Sequence, residues 1–211
     1  MKKTVYFIRH GQTDSNAAQR YQDATTELSE KGKRQAEFVA KRCAELGAQC
    51  LFVSTMKRAQ QTADAIARAT LLVPVVTENL RELSRPSILR GKLMNDHDIA
   101  VVKDYFEKYF TVPNAHHSDE ENFYDLRERA AQALGEIIAR EESTIIVVTH
   151  GTFLKMLFAV MMDGDRVEEA VFESLMRFLI ADNTGITTAE WDGKNWFLRQ
   201  WNDDAHLAEV P

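Results

Sequence analysis

The sequence predicts an α/β fold, a three-layer α/β/α sandwich around a mostly parallel central sheet. Strand-like apolar runs alternate with amphipathic helical segments along most of the 211 residues. The runs at 4–8 and 144–149 are almost continuously apolar, as in parallel strands that are buried on both faces. Each run leads into a His-Gly pair, at the end of a strand where open α/β sheets bind their ligands. The fold therefore predicts a site that contains two histidines.

The first half of the chain has the strand–helix alternation of a parallel sheet. In order, it predicts a strand at 4–8, a polar loop at 12–26, a helix between Ser29 and Gly47, a strand at 50–53, a helix at 57–69 and a strand at 72–77. Ser29 fits an N-cap and Gly47 fits a helix stop. Pro74 favours the edge of the sheet for the third strand, because proline cannot donate to the ladder.

The second half departs from this alternation before it resumes. A loop at 78–92, an amphipathic helix at 98–110 and a polar stretch at 111–122 predict a small cap at about 84–122, inserted into a single domain spanning 1–211. There follow a helix at 123–140, a strand at 144–149, helices at 152–162 and 167–174, and strands at 176–180, 185–191 and 196–201. Asp192-Gly193 predicts a C-terminal β-hairpin between the last two strands.

Composition limits the partners. A formal net charge of −6 argues against general nucleic-acid binding, although a local cluster of arginine and histidine can still bind an anion. The apolar run after Lys3 is too short for a signal peptide, and no segment approaches transmembrane length, so we expect a cytoplasmic protein without a membrane partner. Cys43 and Cys50 fit buried thiols in a reducing compartment. The sequence leaves a homodimer open.

His10 is the first candidate for chemistry. A neutral imidazole can attack phosphorus and form a phosphohistidine that water later hydrolyses. Phosphoryl transfer also needs positive charge around the phosphate oxygens, which the planar fork of arginine supplies well. Arg9 lies beside His10, and Arg58 lies at the start of a predicted helix on the same edge of the sheet. His150 follows the second apolar strand and is the fourth candidate, although a buried structural histidine is a serious alternative.

Further candidates come from the loops. Glu82 follows the third strand and could protonate a leaving alkoxide, although most carboxylates in a chain are merely solvated. Asn16 and Gln22 lie in the polar loop and could donate hydrogen bonds to the same phosphate. The His and carboxylate spacings do not predict a metal site, and the chain has no Walker A loop, so we expect no metal and no cofactor.

In combination, five motifs resemble the histidine phosphatase superfamily, the phosphoglycerate mutase-like group (branch 1). They occur in the family's order and cover nearly the whole chain: Arg9-His10-Gly11-Gln12-Thr13 with Asn16, Leu28-Ser29-Glu30-Lys31-Gly32 with Gln35-Ala36, residues 54–63, Leu80-Arg81-Glu82, and Val148-Thr149-His150-Gly151. The match ends in Asp182-Asn183-Thr184-Gly185. The Arg-His-Gly triplet alone is weak, but the ordered set is highly specific.

The resemblance implies roles for individual residues. His10 would be the phosphorylated nucleophile, Glu82 the proton donor, and Arg9, Arg58 and His150 the phosphate pocket. The implied substrate-binding set is Arg9, Asn16, Gln22, Arg58, His150 and Gly151. Family members work without a metal.

Two segments depart from the family pattern. After Glu82, the run 84–92 replaces the usual Gly-x-Trp-Glu-Gly-like segment, and 23–27 lacks the usual Gly and Pro before Leu28. Both segments line the substrate entrance in the family, so the chemistry carries over better than the substrate. The leading hypothesis is a metal-independent phosphomonoesterase acting on a small phosphorylated metabolite. The alternatives are a 2,3-bisphosphoglycerate-dependent phosphoglycerate mutase and a non-catalytic phosphate-binding or scaffold protein.

Overall fold

A six-stranded mixed sheet forms the centre of the molecule, with helices on both faces, which confirms the α/β/α class. The computed structural model describes residues 1–209. In the part of the chain it describes, the strands follow the order β3-β2-β4-β1-β5-β6. Their bounds are β1 Lys3–Arg9, β2 Cys50–Ser54, β3 Pro74–Thr77, β4 Thr144–Thr149, β5 Ile186–Trp191 and β6 Trp196–Asp203. The first four strands pair in parallel, and β5 and β6 are joined antiparallel as the predicted C-terminal hairpin.

The helices cover the two faces of the sheet in separate layers. Their bounds are α1 Asp14–Ala17, α2 Glu30–Ala44, α3 Lys57–Thr70, α4 Ala100–Tyr109, α5 Phe123–Ile138, α6 Gly151–Asp163 and α7 Glu169–Phe178. Helices α2 and α3 pack on one face, while α5, α6 and α7 pack on the other. Within residues 1–209, no helix is both long and apolar enough to cross a membrane.

Side-chain alternation along β1 and β4 divides the core between the two layers. Val5 and Phe7 point into the cluster under α5 and α6, whereas Ile8 packs in the cluster under α2 and α3. Strand β4 behaves in the same way, with successive residues on opposite faces, because strand side chains have a period of two. Both strands are therefore buried on both sides, as their continuous apolar runs predict.

One predicted element is wrong, one strand starts later than predicted, and one predicted loop contains a short helix. The predicted strand at 176–180 is the end of helix α7 and the residues after it. Phe172, Leu175 and Met176 pack against the core at helical spacing, and this tertiary contact overrides local strand propensity. Strand β3 starts at Pro74, at the edge of the sheet, because Leu71 ends α3 in the left-handed conformation. The predicted loop at 12–26 contains the short helix α1.

The segment at 84–122, predicted as a cap, is mostly loops with two 3₁₀ turns and the helix α4. Residues from its start, including Ser84, Arg85 and Leu89, line a cavity of about 860 Å³ beside the carboxyl ends of β1 and β2. The segment therefore forms part of the wall of the candidate site.

Candidate active site

Parallel register places the two histidines beside each other. Strands β1 and β4 are neighbours, and Arg9 pairs with Thr149, so His10 and His150 are the next residues on the two strands. Their ring centroids lie 5.1 Å apart. The convergence expected from two strands that end in His-Gly is therefore present.

Hydrogen bonds fix the tautomer of His10. Its Nδ1 lies 2.7 Å from the carbonyl oxygen of Gly11, which can only accept, so Nδ1 carries the proton. Its Nε2 lies 3.2 Å from Nε of Arg58, which can only donate, so Nε2 holds a lone pair. Two independent partners thus give the same neutral ring, with its nucleophilic nitrogen on the side of Arg58.

The turn after β1 holds this ring in place by close backbone packing. A Cβ on Gly11 would lie 2.6 Å from the carbonyl oxygen of Gly32, at the start of α2, so this position requires glycine. The Gly11 amide also donates to Oγ1 of Thr62 on α3, at 3.1 Å. The histidine is therefore anchored to both helices of one layer.

Burial and charge keep His10 neutral. Its side chain is only 2 % exposed. Desolvation, together with the Arg58 and Arg9 guanidinium groups, holds the pKa of His10 well below its ordinary value of 6.5. The imidazole therefore stays unprotonated at neutral pH, which is the form that a nucleophile needs.

The two arginines carry an unusual concentration of buried positive charge. Burial lowers the pKa of Arg58 to about 10, and Arg9 acts in the same direction. Burial also lowers the pKa of Arg9, although Glu82 and Asp182 oppose this. Nε of Arg9 is buried without any hydrogen-bond partner among the described residues. Such a donor is unusual in a folded protein and fits a site that completes its bonds with a bound anion.

His150 lies behind His10 and does not itself line the cavity. It is fully buried, and its Nε2 lies 2.8 Å from Oγ of Ser54. Ser54 also accepts a hydrogen bond from the amide of Met56, which fixes its hydroxyl oxygen beside that ring. Nδ1 of His150 is buried without a hydrogen-bond partner in the described chain. Burial and the nearby Arg58 lower the pKa of His150 well below the ordinary value.

Glu82 is held at the start of helix α6. Its carboxylate oxygens accept from the amides of Thr152, at 3.1 Å, and Phe153, at 2.9 Å. Negative charge is favoured at the amino end of a helix, and these two bonds orient the carboxyl group. Arg9 reaches the same point, because its Nε lies 3.4 Å from where a Cβ of Gly151, the first residue of α6, would be.

One cavity of about 860 Å³ joins these groups. Its wall includes Arg9, His10, Arg58, Glu82 and Gly151, and also Asn16 and Gln22 from the loop after β1. The structure thus places every candidate from the sequence on the wall of this cavity except His150, whose ring packs beside that of His10. Within residues 1–209, no cluster of three His, Cys, Asp or Glu side chains could hold a metal ion.

Comparison with known proteins identifies the family. The model of the histidine phosphatase superfamily (branch 1) matches residues 5–204. The chain belongs to this superfamily. A probable phosphoglycerate mutase GpmB from Erwinia tasmaniensis is 28% identical over 215 residues, covering 98% of this chain and 95% of that protein. A protein of the same name from Proteus mirabilis is 27% identical, with the same coverage.

Solved structures show the same fold. Bacillus stearothermophilus YhfR superposes with a TM-score of 0.82 at 28% identity, covering 97% of this chain and 99% of that chain. A mycobacterial glucosyl-3-phosphoglycerate phosphatase superposes with a TM-score of 0.79 at 23% identity, covering 97% and 100% of the two chains. Both likenesses show the same fold over 97% of the chain.

In this member of the superfamily, Asn16 and Gln22 hold the loop after β1 together. Oδ1 of Asn16 accepts from the amide of Thr13 at 2.5 Å, which closes the capping box of α1. Gln22 accepts from the Thr13 hydroxyl at 3.0 Å. Asn183 links this loop to His10, since it accepts from Asn16 at 3.1 Å and donates to the carbonyl of His10 at 2.9 Å. The roles of Asn16 and Gln22 as direct phosphate contacts stay predictions.

A buried ion pair, absent from the sequence prediction, supports Glu82 from behind. Arg129 on α5 binds both carboxylate oxygens of Glu121, at 2.6 and 2.7 Å. The same guanidinium donates to the backbone carbonyl of Arg81 at 2.7 Å and to that of Asn79 at 3.2 Å. It therefore fixes the turn that presents Glu82. The only sequence signal was an arginine on the otherwise apolar face of a helix, and that face alone does not reveal its partner.

Protonation of His10 is expected to destabilise the fold as the pH falls below about 6.5. The unfolded histidine takes up a proton in this range, whereas the buried one resists it. The free energy of unfolding should therefore fall with pH, by up to about 1.4 kcal/mol per pH unit from this group. His10→Asn removes that contribution, and His150 is present in both proteins. Urea titrations between about pH 5, where most carboxylates are still ionised, and pH 6.5 should give a shallower slope for the variant, and equal slopes would contradict this assignment.

Proposed function

We propose that this chain is a metal-independent phosphatase that hydrolyses small phosphomonoesters through a phosphohistidine on His10. The observation that carries the proposal is the neutral His10 ring, whose Nε2 lone pair lies on the side of Arg58 in a cavity lined by buried cations. A nucleophile without a proton and a cluster of cations for phosphate oxygens are what phosphoryl transfer requires.

In the first step, the substrate phosphate binds to Arg9 and Arg58, which releases Arg58 from its contact with Nε2. The lone pair on Nε2 attacks phosphorus, and the bond between phosphorus and the ester oxygen breaks. Glu82 gives a proton to the leaving oxygen, so the product is a neutral alcohol. The hydrogen bond from Nδ1 to Gly11 stabilises the positive charge that develops on the ring.

In the second step, water attacks the phosphohistidine. Glu82, now a carboxylate, takes a proton from that water, the bond between nitrogen and phosphorus breaks, and Nε2 recovers its lone pair. The unpartnered donor Nε of Arg9, whose side chain lines the cavity, is suited to the phosphoryl oxygens in both steps. Inorganic phosphate then leaves.

A phosphoglycerate mutase is the second candidate, and the names of the relatives from Erwinia tasmaniensis and Proteus mirabilis favour it. A mutase must exclude water from its phosphoenzyme. The cavity volume of about 860 Å³ is near the upper end of the range for small-molecule sites, so a small metabolite leaves room for the hydrolytic water. This observation supports the phosphatase.

A substrate screen with EDTA present tests the proposal. Purified protein is incubated with p-nitrophenyl phosphate and a panel of phosphorylated metabolites, beside His10→Ala, and released phosphate is measured. Release that depends on His10 supports the phosphatase. Phosphoryl transfer between positions of phosphoglycerate that requires 2,3-bisphosphoglycerate, with little release, would favour the mutase. If neither activity is detected, the remaining hypothesis is a non-catalytic phosphate-binding protein.

Glu82→Gln is expected to slow phosphoenzyme formation by about 10²- to 10⁴-fold for alkyl phosphates, whose leaving groups need a proton. The loss should be much smaller for p-nitrophenyl phosphate, because p-nitrophenolate leaves without protonation. The measurement is single-turnover kinetics on both substrates. Glu78→Gln, which changes another carboxylate on the cavity wall, is the matched control. An equal reduction in rate on both substrates would show that Glu82 is not the general acid.

A further inference from the structure

We propose that Arg85 binds a second anionic group of the substrate, so that the enzyme prefers phosphomonoesters that also carry a carboxylate or another phosphate. This inference deepens the proposed function and rests on it. It concerns the segment after Glu82, where the sequence departs from its family and where the substrate entrance is expected.

Arg85 is the arginine of the outer cavity wall that lacks an acceptor. Three neighbours on this wall are already engaged, since Arg20 donates to the carbonyl of Gly91 at 2.9 Å, Arg81 pairs with Glu121 at 3.2 Å and Arg90 pairs with Asp119 at 3.4 Å. Arg85 makes no hydrogen bond and no ion pair with any residue in the described range 1–209. Its guanidinium has five donors arranged to bind a carboxylate or a phosphate through two bonds at once.

Two aromatic rings hold this free guanidinium in place. Its central carbon lies 5.2 Å from the ring centroid of Phe106 and 5.8 Å from that of Tyr21. Both rings are buried, and they come from α4 and from the loop after β1. Cation–π contacts attract the guanidinium to the faces of these rings, and its donors make no hydrogen bond within residues 1–209. The group is thus positioned before a ligand arrives, which lowers the entropy cost of binding.

The position of Arg85 and the charge of the cavity both suit a compact substrate with two anionic groups. Arg85 is three residues from Glu82, so their Cα atoms are at most about 11 Å apart. Seven lysine and arginine side chains line the cavity against three carboxylates, although the chain as a whole has a net charge of −6. The electrostatic potential in the cavity is therefore positive although the molecule as a whole is negative, and it favours ligands with more than one negative group.

A purely structural role would also explain the stacking, because Arg85 joins two elements of the wall. The two roles differ in their dependence on the substrate. A structural arginine affects all substrates alike, whereas a binding arginine affects those that carry the second anion.

The test compares pairs of substrates that differ in one anionic group. For the carboxylate the pair is 3-phosphoglycerate and glycerol 3-phosphate, and for the phosphate it is propane-1,3-diol bisphosphate and its monophosphate. Arg85→Gln should lower kcat/KM for the anionic member roughly 10- to 100-fold more than for its partner, mainly through KM. Arg85→Lys should recover part of the loss. Arg90→Gln, on the same wall but paired with Asp119, should not discriminate.

Calorimetric binding of 3-phosphoglycerate in a His10→Ala background supplies a readout that does not depend on turnover. Adding Arg85→Gln should weaken this binding by a similar factor. Equal losses on both members of each pair, or unchanged binding, would overturn the inference. If the protein turns over p-nitrophenyl phosphate through His10 but Arg85→Gln affects both members of each pair alike, only this inference is wrong. If the wild-type protein turns over no phosphomonoester, the proposed function itself is wrong.

Discussion

His10→Ala is expected to reduce phosphatase activity by roughly 10⁵-fold or more, because the group that accepts the phosphoryl is removed. The neutral Nε2, its orientation by Gly11 and its contact with Arg58 all serve this one atom. Initial rates with p-nitrophenyl phosphate, together with thermal unfolding of both proteins, separate lost chemistry from lost folding.

The matched control for this change is His97→Ala. His97 is exposed in a 3₁₀ turn of the segment at 84–122 and does not line the cavity. This control should keep full activity. A His10→Ala protein that folds normally and retains most of its activity would exclude the phosphohistidine.

Arg58→Ala is expected to lower kcat by about 10³- to 10⁵-fold, the range for an arginine that stabilises the transferred phosphoryl group. Inhibition by phosphate and by vanadate should weaken in parallel, because both anions require the same cation. The reason is geometric as well as electrostatic. Arg58 is buried, its Nε touches His10, and its other nitrogens contact the carbonyl of Asp23 and the sulfur of Met56.

Two further variants make the Arg58 result specific. Arg68 lies on the same helix but on the surface, where it pairs with Glu37. The substitution Arg68→Ala should therefore change neither the rate nor the inhibition. Arg58→Lys keeps the charge but lacks the planar fork, so it should recover only part of the activity. Unchanged inhibition by phosphate and vanadate in Arg58→Ala would remove this residue from the phosphate pocket.

Local patterns predicted the elements that position the site. The continuous apolar runs of β1 and β4 require burial on both faces, and parallel neighbours bring their ends together, so His10 and His150 could be expected to meet. Arg58 followed from its place just after β2, at the same edge of the sheet. The alternation of strands and helices is sufficient to place these residues, because each comes directly after, or within a few residues of, the end of a regular strand.

Features that depend on long-range contacts were less accessible. The end of α7 was mistaken for a strand, since only packing of Phe172 and Met176 on the core distinguishes the two conformations. The ion pair between Arg129 and Glu121 joins a helix to a distant loop, and no local spacing encodes it. Likewise, the sequence placed Arg85 in a loop but could not show that two aromatic rings hold it beside the cavity.

The most direct test of the central claim is to trap the intermediate. Enzyme and substrate are mixed rapidly and quenched in alkali, where a phosphohistidine survives, and the peptides are analysed by mass spectrometry. We expect one acid-labile phosphoryl group on His10, which forms and decays fast enough to explain the rate of turnover. A turning-over enzyme with no phosphoryl group on His10, or with the label on another residue, would contradict it.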